Sequence, residues 1–407
     1  MLVNFFSFKQ ADKANQSKAE NRTKHQKVFK IIVMRLNFHL LLLSLTIAVI
    51  GRAQVNTPSS LNIGDSAPPL RVSGWIKGTP IQKFEKGTVY VVEFWATWCK
   101  PCIAAMTHLS ALACEYKNTV TVLGIDVYEK KTTSMKKVKA FVDSMGHQID
   151  CYHLATEDSN FTVADWLDAS GDRQQGIPRC FVVNTEGRLA WIGRPKDLEE
   201  VLPKVVNHTW GIKEALAKRN LDKRLAELDD SARVELNGYV GNAFKAGDLG
   251  KPDSALLVID EIIKKEPKLK YAPAIAFHTF SSLLKTNPHE AYEYGKAVLV
   301  TSTYEEPACY AIIGPLEWYS NKLNIPAEIY ELGAEAFQVG IDQIPYPGLA
   351  DLSKLYSKMA GWYWIAKDKS KAIEAEQKAI EALKNEKGFS KTVLAEFDSQ
   401  LRQYKNM

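Results

Sequence analysis

The sequence predicts an α/β domain built on a mixed sheet, followed by an all-α domain of helical repeats or a helical bundle. Three observations carry this. Short apolar β-type runs alternate with helical spacing up to about residue 210. A hairpin signature closes that region, at 179–193. Beyond 211 convincing strands are lacking, and Ala, Leu, Lys and Glu recur at helical spacing. Strands alternating with helices, then a hairpin, read as α/β; uninterrupted helical periodicity reads as all-α. The division expected is 54–210 and 211–407.

The elements follow in order. Residues 54–74, "QVNTPSSLNIGDSAPPLRVSG", are rich in Pro, Ser and Gly and predict a loosely ordered lead-in. "TVYVVEFW" (88–95) is an apolar strand, and helical spacing runs from Cys99 to about Lys117. "TVTVLGIDVY" (119–128) is a second strand, and "KKVKAFVDSMG" (136–146) a helix stopped by Gly146. A short strand is expected near Cys151–Leu154, then a helix over "FTVADWLDAS" (161–170) closed by Gly171. "RCFVVNTEGRLAWIG" (179–193) is a hairpin turning at Asn184–Gly187, and "DLEEVLPKVVNHTW" (197–210) a final helix. In the second half, Ala255, Ala291 and Ala327 lie 36 residues apart, each near the start of an amphipathic helix. Tyr356, Met359, Ala360, Tyr363, Ala372 and Ala379 resemble tetratricopeptide spacing, with Glu376 where that pattern has an aromatic.

Length, 407 residues, suits two domains, and 46% hydrophobic with 24% charged residues excludes wholesale disorder. The formal charge of +5 is concentrated at the start: residues 1–35 carry +6, which leaves 36–407 at −1. No basic surface remains to grip phosphates, so nucleic acid is not an expected partner. The stretch "MRLNFHLLLLSLTIAVIGRAQ" from Met34 has a positive start, an apolar run Leu40–Ile50 and small residues before Gln54. Those eleven apolar residues rise about 16 Å as a helix, against a hydrocarbon core of roughly 30 Å. Residues 1–53 are therefore expected to be a cleaved signal region with the true start at Met34, rather than a permanent membrane span. The mature chain is expected to be exported, in the periplasm or cell envelope.

Export bears on the six cysteines, at 99, 102, 114, 151, 180 and 309. Cys99 and Cys102 flank Lys100 and Pro101 where a strand ends and a helix begins. A zinc clip needs two more ligands, and the nearest histidine, His108, falls on the opposite side of that helix. A purely structural disulfide in so small a ring gains little chain entropy. A redox pair suits the position: the helix N-terminus favours the Cys99 thiolate, Pro101 tolerates the first turn, and Cys102 lies one turn on to resolve a mixed disulfide. No metal or organic cofactor is needed. Glu93 interrupts an apolar strand and has two readings: a buried acid that accepts the Cys102 proton, or a strand-edge carboxylate reaching solvent.

"EFWATWCKPC" resembles the active-site run of thioredoxin-fold proteins, specifically the exported TlpA/ResA-like thiol–disulfide oxidoreductases. "GIPRCFVVNTEGRLAWIG" is similar to that family's cis-proline segment and hairpin. The resemblance covers roughly 61–208. It implies a thioredoxin-like fold, Cys99 as nucleophile and Cys102 as resolving thiol. Ile177-Pro178 becomes the cis peptide facing them, although a strand-initiating turn is the other reading of Pro178. Trp98, Lys100, Pro101 and Ile177 are then expected at the substrate surface. Thioredoxins carry a buried acid at the position of Glu93; several TlpA/ResA-like proteins do not. Cys180 departs from the family pattern and reads as a small buried filler or a third redox thiol; Cys114 and Cys309 read as core. The partners expected are protein disulfides and thiols, a redox partner, and a protein held by the helical half. Two rivals remain in view. One is a scaffold with a passive redox platform. The other is a thiol peroxidase, whose motif places a threonine three residues before the cysteine, whereas Thr97 is two before Cys99.

Overall fold

A computed structural model describes residues 61–157, 159–240, 248–301, 308–346, 351–386 and 389–406. The expected signal region, 1–53, and residues 54–60 lie outside the described residues.

Six strands form one mixed sheet: β1 (Gly74–Lys77), β2 (Val89–Trp95), β3 (Val120–Asp126), β4 (His153–Thr156), β5 (Arg179–Val183) and β6 (Leu189–Gly193), in the order β1-β4-β3-β2-β5-β6. β2 pairs parallel with β3 and antiparallel with β5; β1 and β6 close the edges antiparallel. Every residue of β2 is buried, because the sheet carries apolar matter on both faces. The period of two sorts it: Val89, Val91 and Trp95 join one core, Tyr90, Val92 and Phe94 the other. Helices α1 (Lys100–Glu115), α2 (Met135–Met145) and α4 (Leu198–Val206) cover the first face. The second is filled around Trp166, whose ring meets Phe84, Phe94 and Phe181.

The structure corrects four expectations. From Leu61 the lead-in is packed rather than loose: Leu61 and Ile63 are buried, and Leu61 and Gly64 donate backbone hydrogen bonds to Ala169 and Leu189. Its last residue, Gly74, opens β1. The strand expected near Cys151–Leu154 runs from His153 to Thr156, and Cys151, before it, is bonded to Cys114. Residues 161–170 form only a short turn, α3 (Phe161–Val163), widening into a π-turn, Ala164–Asp168, that delivers both Trp166 and Leu167 to the core. Cys114 is not core: it is exposed on α1 and forms half of the Cys114–Cys151 disulfide.

Among the described residues, the regular structure of the second half is helical: α5 (Ile212–Leu236), α6 (Pro252–Lys265), α7 (Pro273–Thr286), α8 (Pro288–Thr301), α9 (Tyr310–Tyr319), α10 (Ala327–Asp342), α11 (Leu352–Ile365), α12 (Lys369–Lys384) and α13 (Lys391–Asn406). Helix starts are chemically explicit. Asp351 and Asp368 cap α11 and α12 by accepting from Lys354 and Lys371 N–H, and the Asp229 carboxylate accepts from Ala274 and Ile275 at the start of α7. Ala255 and Ala291 each fall three residues after an opening proline and are buried; Ala327 opens α10 and is exposed. Helix α5 serves both halves. Ile212, Ala215 and Leu216 pack on the sheet side, whereas Leu225, Ala232 and Leu236 pack on α6 and α7.

In the α11–α12 pair, Met359, Ala360, Ala372, Ala375 and Ala379 are buried between the helices. Glu376 is buried with them. Ser357 donates to one carboxylate oxygen at 3.3 Å, the other has no partner, and burial pushes the pKa up to about 7. A raised carboxyl pKa contributes stability that is intact below 4.5 and lost as pH rises through 7. Glu376→Leu is expected to stabilise the protein by about 1–2 kcal/mol at pH 8 and by less at pH 5 in thermal unfolding.

Candidate active site

β2 ends at Trp95, and four residues later Cys99 caps α1. Its Sγ accepts from the Cys102 N–H at 3.2 Å, so the sulfur occupies the place where a helix N-terminus binds negative charge. Cys99 and Cys102 are joined as a disulfide, S–S 2.01 Å. Lys100 and Pro101, between them, are exposed. Trp98 is half exposed, its indole N–H donating to the Tyr128 carbonyl at 3.0 Å. The turn is held by Glu129, whose carboxylate accepts from both the N–H and the hydroxyl of Thr97 at 2.6 and 2.7 Å.

Ile177-Pro178 is a cis peptide, and the Ile177 carbonyl lies 3.7 Å from Cys99 Sγ. The strand that follows is anchored by charge. Asp172, buried, pairs with Arg179 at 2.6 Å and with Arg219 of α5. Burial pushes the Asp172 carboxyl up, but the Arg179 and Arg219 guanidiniums outweigh it and hold the pKa below the usual value. Together these contacts bring Cys99, Cys102, Trp98, Lys100, Pro101, Ile177 and Pro178 to one end of the sheet.

Glu93 sits beneath. In β2 it shares the face of Val91 and Trp95, toward α1, and it is completely buried. Across the sheet it faces Gly124 on β3 and Cys180 on β5. A side chain at Gly124 would have its Cβ 2.8 Å from the Tyr152 hydroxyl, so the glycine is what admits Tyr152. That hydroxyl donates a short hydrogen bond to Glu93 Oε2, while Oε1 has no partner. Desolvation outweighs the Tyr152 bond and raises Glu93 from 4.5 to about 8. Of the two sequence readings, the strand-edge carboxylate is therefore excluded.

Two residues of this pocket lie outside the motif. A glycine inside an apolar strand, opposite an acid, is the local signal that Gly124 offers; Tyr152 offers none. Cys180 is a fully buried free thiol, and burial drives its pKa well above the usual value, so it stays protonated. Cys309 is buried in the helical half. Among the described residues, no group of three or more His, Cys, Asp or Glu side chains is placed to hold a metal ion.

Residues 63–192 match the model of the AhpC/TSA family. Protein FixW of Rhizobium leguminosarum is 30% identical over 221 residues, which is 49% of this chain and 96% of FixW. The chain belongs to this thioredoxin-like family. The thiol:disulfide interchange protein DsbE of Pasteurella multocida is 26% identical over 37% of this chain and 77% of its own length. Among solved structures, a thiol:disulfide interchange protein from Bacteroides sp. aligns over 36% of this chain and 92% of its own, at 21% identity and a TM-score of 0.30. The family member described here is a thiol–disulfide oxidoreductase.

The buried acid makes a test that needs no substrate. Its contribution to stability is present below pH 4.5 and is lost as pH rises through about 8. Relative to Glu93→Gln, whose side chain does not titrate, the wild type should lose on the order of a few kcal/mol between pH 5 and 8.5 in denaturant unfolding of the oxidised protein.

Proposed function

We propose that the protein is exported and reduces disulfides of other proteins, with Cys99 as nucleophile and Cys102 as resolving thiol. The observation that carries the reading is one constellation: a cysteine pair at a helix N-terminus, a buried acid of raised pKa on the strand that leads into it, and an Ile177 carbonyl beside Cys99 Sγ.

The chemistry runs in two exchanges. In the reduced protein the Cys99 thiolate, stabilised by the Cys102 N–H and the helix dipole, attacks one sulfur of the substrate disulfide. A mixed disulfide forms and the second substrate sulfur leaves as a thiolate. Glu93, ionised, then takes the Cys102 proton. The Cys102 thiolate attacks Cys99 Sγ, the mixed disulfide breaks, and the first substrate sulfur is released. Two electrons have passed to the substrate, and the protein carries the Cys99–Cys102 disulfide until a dithiol donor reduces it. A pKa of about 8 suits Glu93 to exchange a proton near neutral pH. Ile177 and Pro178 offer extended backbone to the substrate chain, and Trp98, Lys100 and Pro101 form its exposed contact surface.

Export is supported by the apolar run before Gln54 and by the Cys114–Cys151 disulfide, which lies apart from the redox pair and suits an oxidising compartment. Among the described residues, no helix is long and apolar enough to cross a membrane. In this reading residues 54–210 exchange the disulfide, and residues 211–407, stacked in tetratricopeptide-like hairpins, hold the protein partner.

Cys99→Ser should abolish insulin reduction, and Cys102→Ser should accumulate mixed disulfides that dithiothreitol releases. Full activity of Cys99→Ser would contradict the assignment of the nucleophile. In the Cys102→Ser background, replacing Tyr310 and Trp318, both exposed on α9, by Ser should reduce trapping of native partners but not of insulin. Equal trapping of both would assign the helical half another role.

A further inference from the structure

Tyr346 belongs to the helical half, in the segment after α10, yet its ring lies in the core of the redox half. It is 9% exposed and packs in the same cluster as Cys99, Cys102, Tyr152 and Cys180. Its ring centroid is 5.8 Å from that of His108 on α1, and His108 in turn faces Glu199 of α4 at 3.7 Å. Tyr346 therefore enters beside α1 and α4, two of the three helices that cover the sheet face of Glu93. A tyrosine buried this deeply normally finds a partner for its hydroxyl. The Tyr346 hydroxyl has none, and neither does Glu93 Oε1. Both orphan atoms occupy the same core.

The groups that act electrostatically on the Tyr346 hydroxyl are Cys180 and Glu93 from the sheet and Asp197 and Glu199 from the start of α4; Tyr152 feels Tyr346 in return. Burial and these groups all push the Tyr346 pKa up, so it stays a neutral hydroxyl, able to donate. Glu93 makes its one bond with Tyr152. When Glu93 ionises, a carboxylate with two oxygens and one donor is left in a buried core, the condition in which a second donor counts most.

We propose that Tyr346 is a positioning residue for proton transfer: its hydroxyl donates to Glu93 Oε1, directly or through one water, when Glu93 is charged. The helical half thereby sets how readily Glu93 takes the Cys102 proton. This rests on the reading of Glu93 as the base. Losing a donor to the charged form disfavours that form, so Tyr346→Phe should raise the Glu93 pKa and move the resolving step to higher pH.

The test is stopped-flow reaction of the reduced full-length protein with 5,5′-dithiobis(2-nitrobenzoate). A first release of thionitrobenzoate reports attack by Cys99; the second reports resolution by Cys102. Tyr346→Phe keeps the ring and its packing. It should shift the pH profile of the second phase upward by about one unit and leave the first phase unchanged. In the Glu93→Gln background it should add nothing. If Glu93→Gln alters the second phase but Tyr346→Phe does not, the proposal for Tyr346 fails and the base survives. If Glu93→Gln leaves the second phase untouched, the base assignment itself fails. Equal slowing of both phases in Tyr346→Phe marks a structural role and overturns the proposal as well.

Discussion

The arrangement depends on one costly placement, a carboxyl group with no solvent contact in the central strand of the sheet. Burying Glu93 in its charged form is expensive, and one hydrogen bond from Tyr152 does not offset it, so the group holds its proton to about pH 8. Several otherwise unconnected features follow. Gly124 must lack a side chain so that the Tyr152 hydroxyl can reach across. Cys180, opposite on β5, is small and neutral, and so adds no second charge to the pocket. The Cys114–Cys151 disulfide ties the residue adjacent to Tyr152 to α1, the helix that carries the redox pair. That bridge closes a sequence separation of 37 residues, worth about 4 kcal/mol by loop entropy.

The helical half is not a bystander to this pocket. Asp172 is buried between Arg179, which directly follows the cis peptide, and Arg219 on α5. The two guanidiniums hold the aspartate ionised against its burial, and removing Asp172 would leave both of them buried without that counter-charge. The register of the strand after Pro178 is thus fixed partly by a helix of the second half. Tyr346 makes the second contact from that half, into the core beneath the cysteines. Disulfide exchange and the helical array share one packed body, residues 61–407.

Sequence reasoning reached what is local. Cys99, Cys102 and Pro101 declare themselves by spacing at a strand-to-helix junction. Glu93 stands out as a charge in an apolar run, and the hairpin's Asn184–Gly187 turn follows from turn chemistry, with Asn184 accepting from Glu186 and Arg188 as such a turn requires. What was not legible is long-range. Tyr152 and Glu93 are 59 residues apart, and Arg219 and Asp172 are 47 apart. No periodicity within either element announces such a partner. Cys114 reads as core from its helical spacing, whereas it stands exposed on α1 and is bonded to a cysteine 37 residues away, which no local pattern announces. Residues 161–170 read as an ordinary helix because a π-turn carries a similar apolar content; only the need to bury Trp166 and Leu167 side by side separates them.

The central claim is that Glu93 holds a proton at neutral pH and releases it near the pH at which Cys102 must be deprotonated. Carboxyl carbon NMR of selectively labelled glutamate in the oxidised protein, with Glu93→Gln to assign the resonance, measures this directly. A titration midpoint near 8 is the expected result. A midpoint in the ordinary carboxylate range, about 4 to 5, would contradict it, since Glu93 would then be charged throughout the working range and too weak a base for the part assigned to it.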